Sequence, residues 1–413
     1  MITRRAAGQL LVSATALAAL GSIGTKAYAA NKVVKIGVDL SLTGADAEDA
    51  IRVQHAITMA IDAANEGNAV PGYTFAMDVM DDGTATAGQY DPAQAATNAR
   101  RMVADPQVLA AIGPQMSGSG KAMAPILSEG DLATITPSST NPDITNPKFA
   151  AQFDPSGKAI YFRTVTTDAF QGPNMANFMA EKLGVKSVYV LDDSGAYGVG
   201  MADAFQKQAE AKGIKVLGRD RLDPKAADYT AVMTKIKALN PDALYFGGVD
   251  QAGVKVAKEA YDILPKVIKA GGDGMMAAAL LTGAGFPAVQ GWYATIASPH
   301  LTGDDKAAEF VKDYTGRWGI APSDYEITAY DAALVIIDAV KRVAASGKPV
   351  TRAAVRDAIQ DAKVPTIQGV VSFDKYGDLK DRTVSVFQIR QDTKARVDDV
   401  DAQYKYVGVA PQS

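Results

Sequence analysis

The sequence contains no cysteine and only two histidines among its 413 residues. The absence of cysteine excludes disulfide bonds, thiolate zinc sites, iron–sulfur clusters and a cysteine nucleophile. Two histidines are too few for a histidine-rich metal centre or for several histidine-dependent catalytic steps. We therefore expect neither a metal site nor a cofactor. The net charge of −4 also argues against a general nucleic-acid-binding surface.

The overall composition is that of a soluble globular protein, with 47% hydrophobic and 21% charged residues. A chain of 413 residues is too long for one core of ordinary size, so two domains are expected. After residue 30, the sequence contains no apolar run of the roughly 20 residues that a membrane-spanning helix needs.

The first 30 residues have the three parts of an export signal. Arg4 and Arg5 supply a positive start, residues 10–23 are largely apolar, and Ala27-Tyr28-Ala29 matches a cleavage site. We predict a signal peptide over residues 1–29, cleaved near Ala29, and both the general and the twin-arginine export routes remain open. Because a lipid anchor requires a cysteine, the expected product is free in the periplasm or secreted.

Strands and helices alternate along the rest of the chain. Apolar residues predict a strand over 33–38 and a helix over 48–66, and the same order recurs at 187–191 and 199–212. Alternation every 20 to 30 residues or so predicts two halves with parallel sheets and helices on both faces. The tail differs, because its pattern predicts a hairpin between residues 370–373 and 384–387.

In open α/β sheets, ligands bind beyond the carboxyl ends of the strands, so the loops at those ends are the candidates for a binding site. In the loop 113–120, Ser117 is a natural helix N-cap, and the free N–H groups of the first turn can hold a carboxylate. The alternative is that Ser117 only caps its helix. The next such loop, 136–142, also carries hydroxyl groups, and two neighbouring hydroxyl-bearing loops favour a small polar ligand.

Two loops of the second half carry further candidates. Asp273 lies in a glycine-rich loop and could accept hydrogen bonds from an ammonium group, although a turn aspartate is the commoner role. Tyr197 follows another strand and could form an aromatic wall.

Catalysis is not expected. His55 lies within the predicted helix 48–66, where packing or capping is its expected role, and no serine or carboxylate stands beside His300 in an interpretable frame. An exported hydrolase would require a serine–histidine–acid set that the sequence does not supply. Neither a Walker phosphate loop nor a nucleophile elbow fits the loop 113–120.

The ordered set of segments resembles the leucine/isoleucine/valine-binding proteins of ABC transporters, from about Val34 to about Ile389. The segments that carry the resemblance are Lys35-Ile36-Gly37-Val38, Ser41-Leu42-Thr43-Gly44, Ala111-Ile112-Gly113 leading to Ser117, Thr136-Pro137-Ser138-Ser139-Thr140-Asn141-Pro142, Phe162-Arg163-Thr164, Gln171-Gly172-Pro173, Tyr197-Gly198, Ala329-Tyr330-Asp331-Ala332 and Gly377-Asp378-Leu379.

The resemblance implies an α/β fold with two doubly wound parallel-sheet lobes, joined by three crossovers as in type I periplasmic binding proteins. It places the crossovers near Tyr161–Thr164, Gln290–Tyr293 and Thr366–Gln368. The expected N-lobe is residues 31–161 plus 290–366, and the expected C-lobe is residues 162–289 plus 367–413.

The resemblance also implies the roles of the candidate residues. Ser117, Ser138 and Thr140 would hold a ligand carboxylate, Asp273 would hold an ammonium group, and Tyr197 would wall the side-chain pocket. Here the acid is an aspartate where a longer glutamate is expected.

Two positions depart from the family pattern. Asp49 stands where an aromatic residue is common, and Val249-Asp250 replaces an aromatic pair. Asp250 and Phe170 are therefore included as further candidates for the pocket, and the side-chain preference stays open.

The expected function is a monomeric substrate-binding component that captures a branched-chain or other hydrophobic amino acid by hinge closure and delivers it to a membrane permease. The alternatives are a binding protein for an aromatic or other small carboxylate, and a sensor subunit that presents the ligand to a receptor.

Overall fold

The structure is a computed structural model that describes residues 31–301 and 305–412. The predicted signal peptide lies outside these residues. Among the described helices, none combines the length and the apolar character needed to cross a membrane.

The described residues form two sheets with helices on both faces, plus two short two-stranded ribbons. The strands are β1 (Lys32–Leu40), β2 (Tyr73–Asp81), β3 (Gly83–Thr84), β4 (Gln89–Tyr90), β5 (Val108–Ile112), β6 (Thr134–Thr136), β7 (Tyr161–Arg163), β8 (Ser187–Asp192), β9 (Lys215–Arg221), β10 (Ala243–Gly247), β11 (Ile268–Gly271), β12 (Tyr293–Ile296), β13 (Val364–Thr366), β14 (Gly369–Val371), β15 (Ser385–Ile389) and β16 (Tyr404–Val409).

The helices connect these strands and cover the two sheets. They are α1 (Ala47–Glu66), α2 (Pro92–Ala104), α3 (Ser117–Glu129), α4 (Ala150–Phe153), α5 (Asp168–Glu181), α6 (Ala196–Ala211), α7 (Thr230–Leu239), α8 (Asp250–Ile263), α9 (Ala278–Ala284), α10 (Asp305–Trp318), α11 (Asp324–Ala345), α12 (Arg352–Gln360) and α13 (Val400–Gln403).

The N-lobe is built on a five-stranded sheet in the order β2-β1-β5-β6-β7, and every pair in it is parallel. Val34, Ile36, Val38 and Leu40 lie on one face of β1 and are all buried, and Gly37 and Asp39 on the other face are buried as well, as expected for a central parallel strand with helices on both faces. Apolar residues of α1, α10, α11 and α12 pack with them in one core.

The C-lobe is built on a seven-stranded sheet in the order β16-β15-β12-β11-β10-β8-β9. Strands β8 to β12 pair in parallel, as expected from the strand–helix alternation. β15 and β16 add an antiparallel edge. Two apolar cores, one on each face, enclose this sheet.

The chain crosses between the lobes three times, but two crossovers lie later than expected. The first runs from β7 to α5, close to the predicted place. The expected change of lobe at residues 290–293 is wrong, because β12 pairs with β11 and β15 inside the C-lobe sheet. The second crossover instead follows β12 and precedes α10, whose apolar residues pack in the N-lobe core.

The third crossover follows Leu379 rather than residues 366–368. Phe373 and Leu379 belong to the N-lobe core, whereas Val384 packs in the C-lobe. The lobes are therefore residues 31–163 plus 305–379 and residues 168–296 plus 384–410.

The predicted tail hairpin is also wrong. β14 pairs with β13 across a tight turn, while β15 pairs with β12 and β16. The alternation along residues 367–390 correctly indicated extended segments, but it did not identify their partners. β14 pairs instead with β13, which is nearer in the sequence, and β15 joins the C-lobe sheet.

Gly113 sets the path of the loop that follows β5. Its φ of +112° is in the left-handed region, which few residues other than glycine adopt. A Cβ atom at this position would lie 2.3 Å from the carbonyl oxygen of Asp39 on β1. Glycine therefore lets the chain leave the sheet close to β1 and turn into α3.

Candidate functional site

A cavity lies between the two lobes, at the carboxyl ends of their strands. Its walls come from both lobes and combine acidic, hydroxyl, amide and apolar side chains. The lining residues are Asp49, Gln115, Met116, Ser117, Ser138, Tyr197, Val249, Asp250, Asp273, Gly274, Met276, Ala277 and Tyr325.

Hydroxyl groups form part of the N-lobe wall. Ser117 is the first residue of α3, and its Oγ accepts a hydrogen bond of 3.2 Å from the amide of Asn141. Ser138 Oγ donates to the carbonyl oxygen of Gln115 at 2.9 Å. Both side chains face the cavity beside the positive end of a 13-residue helix, where an anion is favoured.

The prediction that Ser117 is the N-cap of α3 is wrong by one residue. Met116 holds the N-cap position, and it makes no side-chain capping hydrogen bond. Ser117 therefore does not cap the helix, and its hydroxyl group lies in the cavity wall.

Asp273 is the centre of the opposite wall. Its Oδ1 accepts hydrogen bonds from the Tyr197 hydroxyl at 2.7 Å and from Gln171 Nε2 at 2.8 Å. Its Oδ2 accepts from the Tyr325 hydroxyl. Three donors from three different helices thus fix the orientation of this carboxylate.

The buried position of Asp273 raises the pKa of its carboxyl group above the ordinary value, and the hydrogen bonds from Tyr325, Tyr197 and Gln171 oppose that rise. Burial also raises the pKa of the neighbouring Asp168, and the charge of Asp273 adds to the effect. An ammonium group placed against Asp273 would relieve the burial of negative charge in this wall.

Packing around Asp273 leaves no room for a side chain at Gly274. A Cβ atom there would lie 2.3 Å from the carbonyl oxygen of Gly248 and 2.9 Å from Cε1 of Tyr197. The glycine therefore allows the Asp273 loop to approach both neighbours closely.

Two more acids, Asp49 and Asp250, line the cavity from opposite lobes. Asp49 lies in the first turn of α1 in the N-lobe, and Asp250 is the first residue of α8 in the C-lobe. Asp49 Oδ1 accepts from the amide of Ala278 at 3.2 Å, a contact between the lobes. Burial raises the pKa of Asp49 to about 7 and also raises the pKa of Asp250 well above its ordinary value.

Five of the seven residues selected from the sequence line this one cavity. They are Ser117, Ser138, Tyr197, Asp250 and Asp273. Selecting residues that follow strand ends therefore identified lining residues from both lobes.

The other two selected residues lie outside the lining. Thr140 is fully buried, and its carbonyl oxygen accepts from the amide of Asp168 at 3.0 Å. Phe170 is half-buried against the C-lobe core, where the guanidinium of Arg382 lies 4.6 Å from its ring centroid. Phe170 is not among the residues that line the cavity.

Tyr325 is the main lining residue not selected from the sequence. It lies in the first turn of α11, which begins at Asp324 after a capping box formed by Ser323 and Glu326. The Ser-x-x-Glu spacing was a readable signal for this helix start. It did not indicate the cavity, because Tyr325 comes from a helix of the N-lobe rather than from a strand end.

The lobes also touch outside the cavity. Asn141 Nδ2 donates to the carbonyl oxygen of Ala196 at 2.8 Å, and Gln251 Nε2 donates to that of Ala87 at 3.2 Å. Ser117, Tyr197 and Asp273 are all buried. The two lobes are therefore in direct contact around the cavity.

Neither histidine lies in the cavity wall. His55 stacks on Trp318 with ring centroids 4.5 Å apart, which confirms the prediction that it packs. The expectation that no carboxylate accompanies His300 is wrong, because Asp324 Oδ2 lies 3.2 Å from its Nδ1. Within residues 31–301 and 305–412, there is no cluster of three or more histidine, aspartate or glutamate side chains suited to a metal ion.

Comparison with known proteins agrees with this architecture. The chain is 28% identical over 356 residues to the Leu/Ile/Val-binding protein BraC3 of Rhizobium johnstonii, covering 86% of this chain and 91% of that protein. The crystal structure of the leucine-binding protein LivK of Thermotoga maritima superposes with a TM-score of 0.77 at 26% identity, covering 91% and 98% of the two chains.

A solute-binding protein of an ABC transporter from R. palustris, solved in complex with benzoate, has the same fold. Its TM-score is 0.74 at 19% identity, and the match covers 92% of this chain and 97% of that one. A sequence-family model described as periplasmic binding protein matches residues 33–394. The chain therefore belongs to the periplasmic binding protein family.

Proposed function

We propose that this protein is the substrate-binding component of an ABC importer and captures an amino acid by closure of its two lobes. One observation carries the proposal. A single buried cavity places hydroxyl groups and a helix N-terminus on the N-lobe opposite a hydrogen-bonded carboxylate on the C-lobe. This pairing is complementary to the carboxylate and ammonium groups of an α-amino acid.

Closure of the lobes follows from the division of the site. Ser117 and Ser138 bind the carboxylate on the N-lobe, and Asp273 and Tyr197 reach the ligand only when the C-lobe closes on it. Because only the closed form makes both sets of contacts, the ligand shifts the population toward that form. A membrane permease then recognises the closed form and accepts the ligand, while ATP is hydrolysed by another subunit.

The names of the relatives support an amino-acid ligand. Full-length similarity joins this chain to proteins named for leucine, isoleucine and valine binding. The export signal predicted from the sequence is consistent with a protein that works in the periplasm. The alternative role, a sensor that presents ligand to a receptor, would use the same closure.

The alternative ligand is an aromatic or other carboxylate without an amine. The same fold holds benzoate in the R. palustris protein, so the fold alone does not select the ligand. Asp273 favours the amino acid, because a buried carboxylate beside a ligand that carries only negative charge would be repulsive.

A thermal-shift screen of the purified protein tests the proposal. The panel contains the protein amino acids, benzoate and 4-hydroxybenzoate. We expect a concentration-dependent rise in melting temperature with at least one amino acid. If only amine-free acids raise the melting temperature, the amino-acid proposal is wrong and the carboxylate alternative replaces it.

A further inference from the structure

The cavity has an acidic end that the carboxylate and ammonium groups of an amino acid leave unused. Asp49 and Asp250 line it from opposite lobes. The charge of Asp49 is the strongest electrostatic influence that raises the pKa of Asp250, after burial itself. Asp273 is instead hydrogen-bonded to Tyr197, Gln171 and Tyr325. Besides burial, the charges of Asp49 and Asp273 both raise the pKa of Tyr325, so this tyrosine is influenced by both acidic groups.

Both acids at this end have a buried oxygen without a partner. Asp250 is 5% exposed, and its Oδ1 has no hydrogen-bonding partner. Asp49 Oδ2 is likewise buried and unpartnered. A buried carboxylate oxygen left unsatisfied is costly, so such groups in proteins are normally paired.

Arg52 lowers the pKa of Asp49 through its charge, but no lysine, arginine or histidine among the described residues forms an ion pair with Asp49 or Asp250. The cavity lining contains no lysine, arginine or histidine. Arg52, one turn further along α1, binds Glu48 at 2.8 Å and Asp398 at 3.4 Å instead. Asp46 and Glu48 add further negative charge around Asp250.

The position of Asp250 in its helix opposes part of the burial effect. It is the first residue of the 14-residue helix α8, and the N-terminus of a helix stabilises negative charge. A cation bound beside Asp250 would add to this stabilisation and favour the ionised carboxylate.

Apolar residues form the rest of the C-lobe wall. Val249, Met276 and Ala277 line the cavity and are largely buried. They offer no hydrogen-bonding side chains, so they suit an aliphatic stem that joins two polar ends of a ligand.

We propose that the ligand is an amino acid with a positively charged side chain, whose terminal ammonium or guanidinium group binds between Asp49 and Asp250. This inference rests on the proposed function, because the α-carboxylate and α-ammonium groups occupy the sites at Ser117 and Asp273. Either terminal cation has enough N–H donors to reach carboxylates on both sides. Because Asp49 and Asp250 belong to different lobes, a ligand cation that binds both also stabilises the closed form.

Isothermal titration calorimetry with matched ligands tests this inference on the purified, ligand-free protein. L-lysine and L-arginine are compared with L-norleucine, which has the aliphatic chain of lysine without the terminal ammonium group, and with L-leucine. We expect lysine or arginine to bind at least about 30-fold more tightly than norleucine, as for a buried charge pair.

Single-residue variants test whether Asp49 and Asp250 cause the preference for a cationic ligand. Asp250→Asn and Asp49→Asn should each weaken the cationic ligand by at least about 30-fold and leave norleucine binding unchanged or improved. Asp203→Asn is the matched control, because Asp203 is an exposed acid on α6 outside the cavity. Circular dichroism of each variant checks that it is folded.

The outcomes separate this inference from the proposed function. If leucine or norleucine binds as tightly as lysine and arginine, the inference is wrong and the amino-acid site stands. If no amino acid binds and aromatic acids do, both are wrong. Because lysine and norleucine are compared on the unaltered protein, their relative affinity decides the question even when a variant fails to fold.

Discussion

The two ends of the cavity differ in how the protein holds its own carboxylates. At one end, Asp273 accepts hydrogen bonds from Tyr197 and Gln171 of its own lobe and from Tyr325 of the other lobe, so the protein itself satisfies this carboxylate. At the other end, Asp49 and Asp250 each have a buried oxygen with no partner. The first end is arranged by the protein, and the second depends on what the ligand brings.

The two ends therefore have different roles in the proposed site. Asp273 contributes to the affinity for amino acids in general, and Asp49 and Asp250 determine which amino acid is preferred. A carboxylate held by three donors presents the same acceptor to every amino acid, because the α-ammonium group is common to all of them. An unsatisfied pair discriminates strongly, since a ligand without a matching cation leaves both acids unpaired. Substitutions at each end of the cavity therefore have separate consequences for binding.

The largest expected effect is at the arranged end. Asp273→Asn removes the charge from a buried ammonium contact and should weaken amino-acid binding by about 2–5 kcal/mol. Titration calorimetry measures the change, with Asp220→Asn as a control in the same lobe, paired with Lys235 outside the cavity. Unchanged affinity in Asp273→Asn would remove this carboxylate from the site.

The hydroxyl wall should show the next effect. Ser117→Ala removes a hydroxyl group from the cavity beside the start of α3 and should weaken a carboxylate ligand by about 1.5–3 kcal/mol, the usual range for a hydrogen bond to a charged group. Ser128→Ala in the same helix is the control, because Ser128 binds Asp154 away from the cavity. Equal dissociation constants for the two variants would contradict a binding role for Ser117.

The pH dependence of the free energy of unfolding tests whether burial raises the pKa of buried aspartates. Burial raises the pKa of Asp46 and Asp49 to about 7 and that of Asp193 and Asp331 to about 6. The folded protein then binds more protons than the unfolded chain between about pH 4 and pH 7, so stability declines as the pH rises through this window.

Without ligand, we expect the free energy of unfolding to fall by more than about 1.4 kcal/mol between pH 5 and pH 8, the equivalent of one pKa unit. Urea unfolding followed by circular dichroism at several pH values measures the slope. Carboxylates with a lowered pKa, such as Asp242, titrate below this window and do not oppose the trend. A free energy that rises with pH would show that these acids are ionised in the folded protein.

The smallest effect is expected outside the cavity. Phe170→Ala should change the dissociation constant by less than about twofold, because the ring packs on the C-lobe core and Arg382 rather than on the ligand. The same calorimetric titration measures it. A large loss of affinity would restore Phe170 to the pocket wall, where the sequence pattern places it.

Much of the fold could be predicted from the sequence, because strands and helices differ in the spacing of their apolar residues. The bounds predicted for residues 48–66 and 187–191 each differ by one residue from those of α1 and β8. Strand ends also carried most of the site, since parallel strands bring their carboxyl ends to one edge. Ser117, Ser138, Tyr197, Asp250 and Asp273 all come from loops or helix starts that follow strands.

The features that could not be predicted depend on contacts between residues that are far apart in the sequence. β12 has the apolar pattern of any buried strand, and only its pairing with β11 and β15 assigns it to the C-lobe. Tyr325 enters the cavity from a helix start beyond the second crossover. The departure of Asp49 and Asp250 from an aromatic pattern was visible, but their approach from opposite lobes required the structure.

The three crossovers have a consequence for how the two lobes are completed. The N-lobe core needs residues up to Leu379, and the C-lobe sheet needs β15 and β16, which end at Val409. A chain cut after β14 would therefore leave both cores incomplete, because Phe373 and Leu379 would be missing from one and Phe387 and Ile389 from the other.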